Sequence, residues 1–217
     1  MKKIVFFCIF GIFISNVYSD DLDSRIATFW NYILTNERDF FNMISQEPSF
    51  YDDLHNRVQL IDKNIYALLS NEVKNNKKDI IITAGGNKQY FDICDKIVSL
   101  APKFTYLNPI SLFPPLEKIE PFMAGNITLR VEDVRVHFDN DNGNIELLFL
   151  LEDKHLSNIR NDDTGYIYNI YMQMLYMMTQ QILGEKITSE KIVSAYIPLL
   201  ILVMPSMPII ELKNYIK

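Results

Sequence analysis

Residues 65–86 have the sequence IYALLSNEVKNNKKDIIITAGG, and this stretch sets the fold class of the chain. Two runs rich in aliphatic residues, 65–73 and 79–83, flank the polar segment 75–78. Apolar runs separated by a short polar turn predict a β-hairpin. Gly85-Gly86 then break the second strand, because glycine adopts backbone conformations that end regular structure.

A helix and a further extended segment are predicted after this hairpin. Residues 88–100 place apolar side chains at helical spacing and stop before Pro102, so they predict a helix. Residues 105–113 are predicted to be extended and end at Pro114-Pro115. The order of elements is therefore hairpin, helix, strand.

The same order is predicted again in the C-terminal half of the chain. Residues 134–138 and 145–151 predict a second hairpin, and its turn contains Asn142-Gly143, a strong two-residue hairpin signal. Residues 164–183 predict a long helix, which Gly184 ends because glycine favours the position after a helix.

Two strands are predicted to close the chain, at 192–197 and 199–203. The two hairpin–helix–strand segments, 65–113 and 132–203, are a possible internal pseudo-repeat of topology. They share no residue-level identity, so the repeat rests on the order of elements alone.

Two helices are predicted before the first hairpin. Residues 24–45 carry one apolar face at helical spacing, and a second helix is expected to begin at Pro48, since proline suits a first helical turn. We therefore predict a single α+β domain over residues 20–217. It has two N-terminal helices and a largely antiparallel sheet built from two hairpin–helix–strand units.

Residues 1–19 have the three parts of a secretory signal peptide. Lys2 and Lys3 are basic, residues 4–14 are apolar apart from Gly11, and Val17-Tyr18-Ser19 puts small residues where cleavage requires them. We expect an exported protein, periplasmic or secreted, after cleavage near Ser19.

Composition is typical of a compact globular protein and argues against a nucleic-acid partner. Of the 217 residues, 48% are hydrophobic, and the formal net charge is −6. A nucleic-acid surface needs a dense stripe of Lys and Arg, which the sequence lacks. Cys8 lies within the predicted signal peptide, so Cys94 is the one thiol expected after cleavage, and it is predicted to lie in the core.

Several short motifs occur in an order that is familiar from other proteins. They are Trp30 followed by Asn36-Glu37, Ile82-Thr83-Ala84-Gly85-Gly86, Phe113-Pro114-Pro115 and Leu183-Gly184-Glu185. With these motifs the chain resembles a family of uncharacterised bacterial α+β proteins. The resemblance implies no activity, ligand or catalytic residue. It implies a cytoplasmic protein, so the predicted signal peptide is a departure from it.

Glu37 is the ionisable residue that the helical pattern singles out. It shares one apolar stripe of the first predicted helix with Trp30 and Phe41. A carboxylate in such a place needs a partner. Glu37 is either a general acid or base in an apolar pocket, with Trp30 binding the ligand, or a structural acceptor. The structural alternative is favoured, with backbone N–H groups, Arg57 or Arg135 as its partners.

Gly85 and Gly86 are weak candidates for a ligand site. They lie at a strand-to-helix turn, where free N–H groups and the helix dipole attract anions. The segment matches neither a dinucleotide-binding motif nor a P-loop, so a conformational role for the two glycines is favoured.

No metal or cofactor site is predicted. Residues 139–144, DNDNGN, are acidic, but their glycine comes one position too early for a calcium-binding EF-hand loop, so they predict a plain turn. His55, His137 and His155 have no spacing that is typical of metal ligands.

The predicted helix at 164–184 contains no charged residue. A helix without charges on any face is usually covered on most sides. We expect either a central helix under a sheet or a surface for a protein partner or a homodimer. The apolar segment 195–210 contains three prolines and is short for a bilayer, so no transmembrane span is predicted in the exported chain.

Two functions remain open from the sequence. The first is a non-catalytic exported binding or protein-interaction module, which the absence of any catalytic motif favours. The alternative is a hydrolase or other acid–base enzyme that uses Glu37 in an apolar pocket.

Overall fold

The chain has an α+β fold, as its sequence predicts. The computed structural model describes residues 21–43, 48–199 and 204–216. The predicted signal peptide lies outside the described residues, and so does the predicted strand at 199–203, apart from Leu199.

The described residues form two compact units. The first, the N-unit, contains the described residues up to Gly85 together with Gln89–Leu112. The second, the C-unit, contains Gly86–Lys88 and the described residues from Phe113 onward.

Three helices open the described part of the N-unit. They are α1 at residues 21–35, α2 at Glu37–Asn42 and α3 at Pro48–Gln59. The single helix predicted over 24–45 is therefore interrupted at Asn36. The side-chain Nδ2 of Asn36 donates to the Tyr32 carbonyl at 2.8 Å. Asparagine side chains compete in this way with the backbone hydrogen bonds of a helix.

The first predicted hairpin is formed by β1 (Tyr66–Lys74) and β2 (Lys77–Thr83), which pair antiparallel. Asn75 and Asn76 are the two turn residues, with φ of 52° and 62°. Two positive φ values are typical of a type I′ turn, and asparagine tolerates them better than most residues.

A helix and a parallel strand complete the sheet of the N-unit. A 3-10 turn at Lys88–Tyr90 leads into α4 (Phe91–Ser99), and β3 (Leu107–Ser111) then pairs parallel with β2. Apolar side chains from the helices and strands form one core. It includes Ile26, Trp30, Ile33, Leu54, Ile80, Ile82, Cys94 and Ile97. Cys94 is thus in the core, as predicted.

The C-unit contains two hairpins. The first, β4 (Phe122–Ala124) with β5 (Ile127–Leu129), is not predicted from the sequence. A 3-10 turn at Val131–Asp133 then leads into β6 (Val134–Asp141), which pairs antiparallel with β7 (Asn144–Leu151). The second hairpin is the predicted one, and Asn142 and Gly143 at its turn have φ of 53° and 88°.

Helices and short strands follow this hairpin. They are α5 (Asp153–Arg160), α6 (Tyr166–Leu183), α7 (Glu185–Lys191), β8 (Ile192–Tyr196), β9 (Met207–Pro208) and a 3-10 helix at Ile209–Asn214. The long helix, α6, is confirmed. The helices α5 and α7 are not predicted, because each is short and adjoins a stronger signal.

The strands lie in three sheets of orders β1-β2-β3, β4-β5 and β8-β7-β6-β9. In each unit a helical segment follows a hairpin, and the next strand pairs parallel with the second strand of that hairpin. Both predicted hairpin–helix–strand orders are therefore present. The single domain and the pseudo-repeat stay predictions.

Candidate functional site

Trp30 is sealed in the core of the N-unit. Its exposed fraction is 1%, and its indole Nε1 donates to the Ile97 carbonyl at 2.7 Å. Its ring packs against Phe29 and Phe104, with centroids 4.9 and 5.7 Å away. These contacts hold α1 against α4 and leave the ring no surface for a ligand.

Glu37 is half-buried and serves backbone donors. It is the first residue of α2, and its Oε1 accepts from the backbone N–H groups of Tyr106 and Leu107, where β3 begins. Backbone N–H groups are one of the structural partners expected for Glu37, and they are the ones found. Arg57 instead pairs with Asp53 through its Nε.

Lys78, a positively charged residue of β2, contacts the same part of the N-unit as Glu37. Its Nζ donates to the Met43 carbonyl just beyond α2, and burial lowers the pKa of its ammonium group. The backbone N–H of Lys78 also donates to the Tyr106 carbonyl at 2.9 Å. The carboxylate of Glu37 therefore joins the start of α2 to β3, and the ammonium of Lys78 joins the residue after α2 to β2.

The two candidate glycines have intramolecular partners. Gly85 donates its N–H to the Thr83 hydroxyl at 3.0 Å. Gly86 donates its N–H to Oε1 of Glu185 at 2.8 Å, so the anion at this N–H belongs to the protein itself.

Glu185, the partner of Gly86, is a buried residue of the C-unit. It is 1% exposed, and its second oxygen, Oε2, accepts from the Phe113 N–H at 2.8 Å. A Cβ on Gly86 would lie 2.3 Å from the Tyr176 hydroxyl, and the φ of Gly86 is +88°. Gly86 therefore has both a conformational and a steric reason to be glycine.

A buried polar network, the Asp–His–Tyr network, lies in the C-unit. It consists of Asp133, His155 and Tyr171, which are 5%, 4% and 0% exposed. The Tyr171 hydroxyl is 2.8 Å from His155 Nδ1, and His155 Nε2 is 3.4 Å from Asp133 Oδ2. Asn158 donates to the Tyr171 hydroxyl at 3.4 Å, and within the described residues His155 Nε2 makes no hydrogen bond, although Asp133 lies near it.

Burial and hydrogen bonds set the protonation states of this network. Burial lowers the pKa of His155, so its neutral form is favoured, and burial raises the pKa of Tyr171. Burial works against ionisation of Asp133, but the hydrogen bonds from Lys154 and from the Arg130 N–H outweigh it and keep the pKa of that carboxyl below its usual value.

The Asp–His–Tyr network has the order of groups found in an acid–base relay. A relay acts on a substrate only if its last group reaches that substrate. The Tyr171 hydroxyl is sealed, so the arrangement fits a network that stabilises the C-unit. The sequence gives little signal of it, because its members come from a turn, α5 and α6.

The acidic segment 139–144 forms the predicted plain turn. Asn140 accepts the Gly143 N–H at 2.9 Å, as expected for a tight turn between β6 and β7. Within the described ranges, no group of three or more His, Cys, Asp or Glu side chains is placed to hold a metal ion.

The helix α6 buries one side and exposes the other. The predicted core residues Tyr171, Met174 and Met178 are buried. The exposed side, called the α6 face below, contains no charged residue. It consists of Tyr166, Asn169, Gln173, Tyr176 and Met177. Tyr166, Tyr176 and Met177 are 66%, 40% and 44% exposed.

Asp162 fixes the start of α6. Its carboxylate accepts from the Thr164 N–H at 3.1 Å and from the Ile167 N–H at 2.6 Å, and Gly165 between them has a φ of +74°. The hydrogen bonds from Thr164 and Ile167 lower the pKa of Asp162. The helix therefore begins at Tyr166, two residues later than predicted.

Among the described residues, no helix is both long enough and apolar enough to cross a bilayer. Comparison with protein-family models, curated proteins and solved structures gives no match to this chain. The resemblance to uncharacterised bacterial proteins therefore stays an expectation.

Proposed function

We propose that this chain is an exported, non-catalytic interaction module whose contact surface is the α6 face and whose partner is a second copy of the chain. One observation supports this most strongly. The 18 residues of α6 include no charged side chain, and yet Tyr166, Tyr176 and Met177 are exposed. An ordinary solvent-facing helix carries charged residues on its outer side.

The net charge of the chain favours self-association through this face. Each copy carries a formal net charge of −6, so two copies repel each other wherever acidic surfaces meet. A surface without acidic side chains is where that repulsion is weakest. Tyr and Met are enriched at protein interfaces, and the amides of Asn169 and Gln173 are both donors and acceptors, so they can pair with themselves.

The residues that flank α6 suit an antiparallel pair. Asp162 and Asp163 precede the helix, and the buried Glu185 and the exposed Lys186 follow it, so Lys186 supplies an exposed positive charge at that end. A two-fold axis that crosses α6 brings the acidic end of one copy to the basic end of the other. The helix is about 27 Å long, so the flanking charges lie at the rim of such an interface.

Export remains part of this proposal and is supported by the signal-peptide pattern of residues 1–19. The alternative function, an acid–base enzyme using Glu37, has weaker support. Oε1 of Glu37 serves two backbone N–H groups, and Trp30 is sealed in the core.

Sedimentation velocity over a range of protein concentrations tests the proposal. We expect a reversible dimer, and we expect Met177→Glu to weaken it by at least about tenfold, because two-fold symmetry places the new charge in the interface twice. Met123→Glu is the matched control, since Met123 is a methionine of the same unit, 75% exposed on β4. A chain that stays monomeric at every concentration, or equal effects of the two substitutions, would contradict the proposal.

A further inference from the structure

A pocket of about 120 Å³ lies in the N-unit between α1 and the end of α3. Six residues line it: Ser24, Arg25, Thr28, Phe29, Arg57 and Leu60. Its apolar walls are Phe29, which belongs to the core, and Leu60, which is 70% exposed. Its polar groups are two hydroxyls and two guanidinium groups.

Both guanidinium groups are held in place by the fold. Nη1 of Arg25 donates to the carbonyls of Leu60 and Ile61 at 3.1 and 2.8 Å. Arg57 pairs through Nε with both oxygens of Asp53, at 3.0 and 2.9 Å, and its guanidinium lies 3.5 Å from the ring centroid of Tyr32.

These contacts engage only part of the donor capacity of each arginine. A guanidinium has five N–H donors in a planar fork that matches a carboxylate. The hydrogen bonds described for Arg57 use Nε, and those of Arg25 use Nε and Nη1. Arg57 also interacts with the Tyr32 hydroxyl, so the N–H groups beyond these contacts are the donors left for a ligand, and the two side chains lose little freedom on binding because they are already ordered.

Size and charge narrow the chemistry of the ligand. A cavity of about 150 Å³ accommodates benzene, so this pocket has room for a short aliphatic chain. Arg57 pairs with Asp53, and Arg25 pairs with Asp21 at 3.4 Å, so both positive charges are partly compensated, which favours a ligand with one negative charge over a multiply charged phosphate.

We infer that this pocket binds a small monocarboxylate with a short apolar body. The carboxylate pairs with the free N–H groups of Arg25 and Arg57, and the aliphatic part contacts Phe29 and Leu60. This inference is independent of the α6 face, because the pocket lies wholly within the N-unit.

Isothermal titration of the purified chain with acetate, propionate, butyrate and n-butylammonium tests the inference. Affinity is expected to rise about fourfold with each added methylene group of the carboxylates. The butylammonium ion has an apolar body one methylene longer than that of butyrate and the opposite charge, so no binding is expected. Equal affinity for all three carboxylates would overturn the apolar contact, and binding of butylammonium would overturn the arginine contact.

A pair of threonines on α1 supplies the matched variants. Thr28 and Thr35 are both exposed, and each donates its hydroxyl to the carbonyl four residues earlier, at 2.9 and 2.8 Å. Thr28→Trp fills the pocket and is expected to lower butyrate affinity at least tenfold, whereas Thr35→Trp leaves it unchanged.

Circular dichroism establishes that each variant is folded. If Thr28→Trp does not fold, Ser24→Trp fills the same pocket from one turn earlier on α1. Unchanged butyrate affinity in a folded pocket-filling variant would overturn the site, and so would an equal loss in Thr35→Trp.

Discussion

The two units each contain a hairpin that is extended by a parallel strand, but they differ in where they place their carboxylates. In both, a strand pairs parallel with the second strand of the preceding hairpin. The N-unit keeps Glu37 half-buried at its edge, whereas the C-unit seals Asp133 and Glu185, which are 5% and 1% exposed. Hydrophobic pattern and turn residues predict the two long hairpins and α6, but the burial of polar groups is specific to each unit.

This difference has an energetic consequence. A carboxylate at the edge loses little hydration on folding, while a sealed one depends on its hydrogen bonds to offset the cost of burial. The C-unit should therefore be the more sensitive to changes of charge and pH.

Glu185→Gln should have the largest effect. Glu185 uses one oxygen for the Gly86 N–H and the other for the Phe113 N–H, and an amide offers only one acceptor oxygen. One N–H is left facing an NH₂ group, at a cost of about 2–4 kcal/mol in the free energy of unfolding. Urea denaturation followed by circular dichroism measures it. Glu190→Gln, at an exposed position of α7, is the control, and equal effects of the two would contradict the role of Glu185.

Acid should destabilise the C-unit next. Burial lowers the pKa of His155 in the folded chain below its usual value of 6.5, so the unfolded chain binds the extra proton first. The contribution of His155 to stability is therefore present above pH 6.5 and is lost as the pH falls below it. Asp133, whose folded pKa lies below 3.8, adds a second loss at lower pH.

Hydrogen exchange of peptides from α5 and α6 tests this prediction. It is measured above and below pH 6.5 and corrected for the intrinsic exchange rate. Lys154, Glu152 and Asp133 are the charged groups that act on His155, so their variants should shift the transition. His155→Gln should remove the first step, and His55→Gln, in the N-unit, is the matched control. Protection of α5 and α6 that does not change across this range would contradict the prediction.

Glu37→Gln should have a smaller effect than Glu185→Gln. Both backbone N–H groups donate to the same oxygen, Oε1, so a glutamine retains the acceptor and loses only its charge. We expect a loss of about 0.5–1 kcal/mol. The chain has one tryptophan, Trp30, so its fluorescence during urea denaturation reports on the core of the N-unit. Asp39→Asn, at an exposed site on α2, is the control. If Glu37→Gln lowered the free energy of unfolding as much as Glu185→Gln does, the proposed difference between the two units would be wrong.

Asp162→Ala should have the smallest effect, confined to the first turn of α6. The substitution removes the acceptor for the N–H groups of Thr164 and Ile167. We expect faster hydrogen exchange in the first turn of α6 and unchanged exchange near Ile182. Asp163→Ala removes a neighbouring carboxylate and should leave the first turn intact. An unchanged first turn in Asp162→Ala would show that the cap is not needed.

The sequence predicts the parts of this fold that local signals specify. Asn142-Gly143 and the asparagines at 75 and 76 mark both long hairpins, because few residues accept the positive φ of a type I′ turn. The apolar stripe of α6 identifies its buried side. The interruption at Asn36 is missed, because an asparagine within a helical pattern does not reveal that its side chain will bond to the backbone.

The sites depend on distant pairs, which a single sequence does not reveal. Gly86 and Glu185 are 99 residues apart in the chain, and Glu185 stands out only as part of a short motif. The pocket of Arg25 and Arg57 forms because α1 and α3 pack together. The α6 face is different, since its lack of charge is visible in the sequence and its exposure requires the structure.

The most direct test of the proposed function is hydroxyl-radical footprinting of the chain at low and high concentration. Tyr166, Tyr176 and Met177 lie on the α6 face, and Met123 and Tyr215 are comparably exposed elsewhere in the C-unit. We predict that oxidation of the α6 face falls as concentration rises, while oxidation of Met123 and Tyr215 does not change. The proposal would be contradicted if oxidation of the α6 face did not depend on concentration, whether or not the chain dimerises.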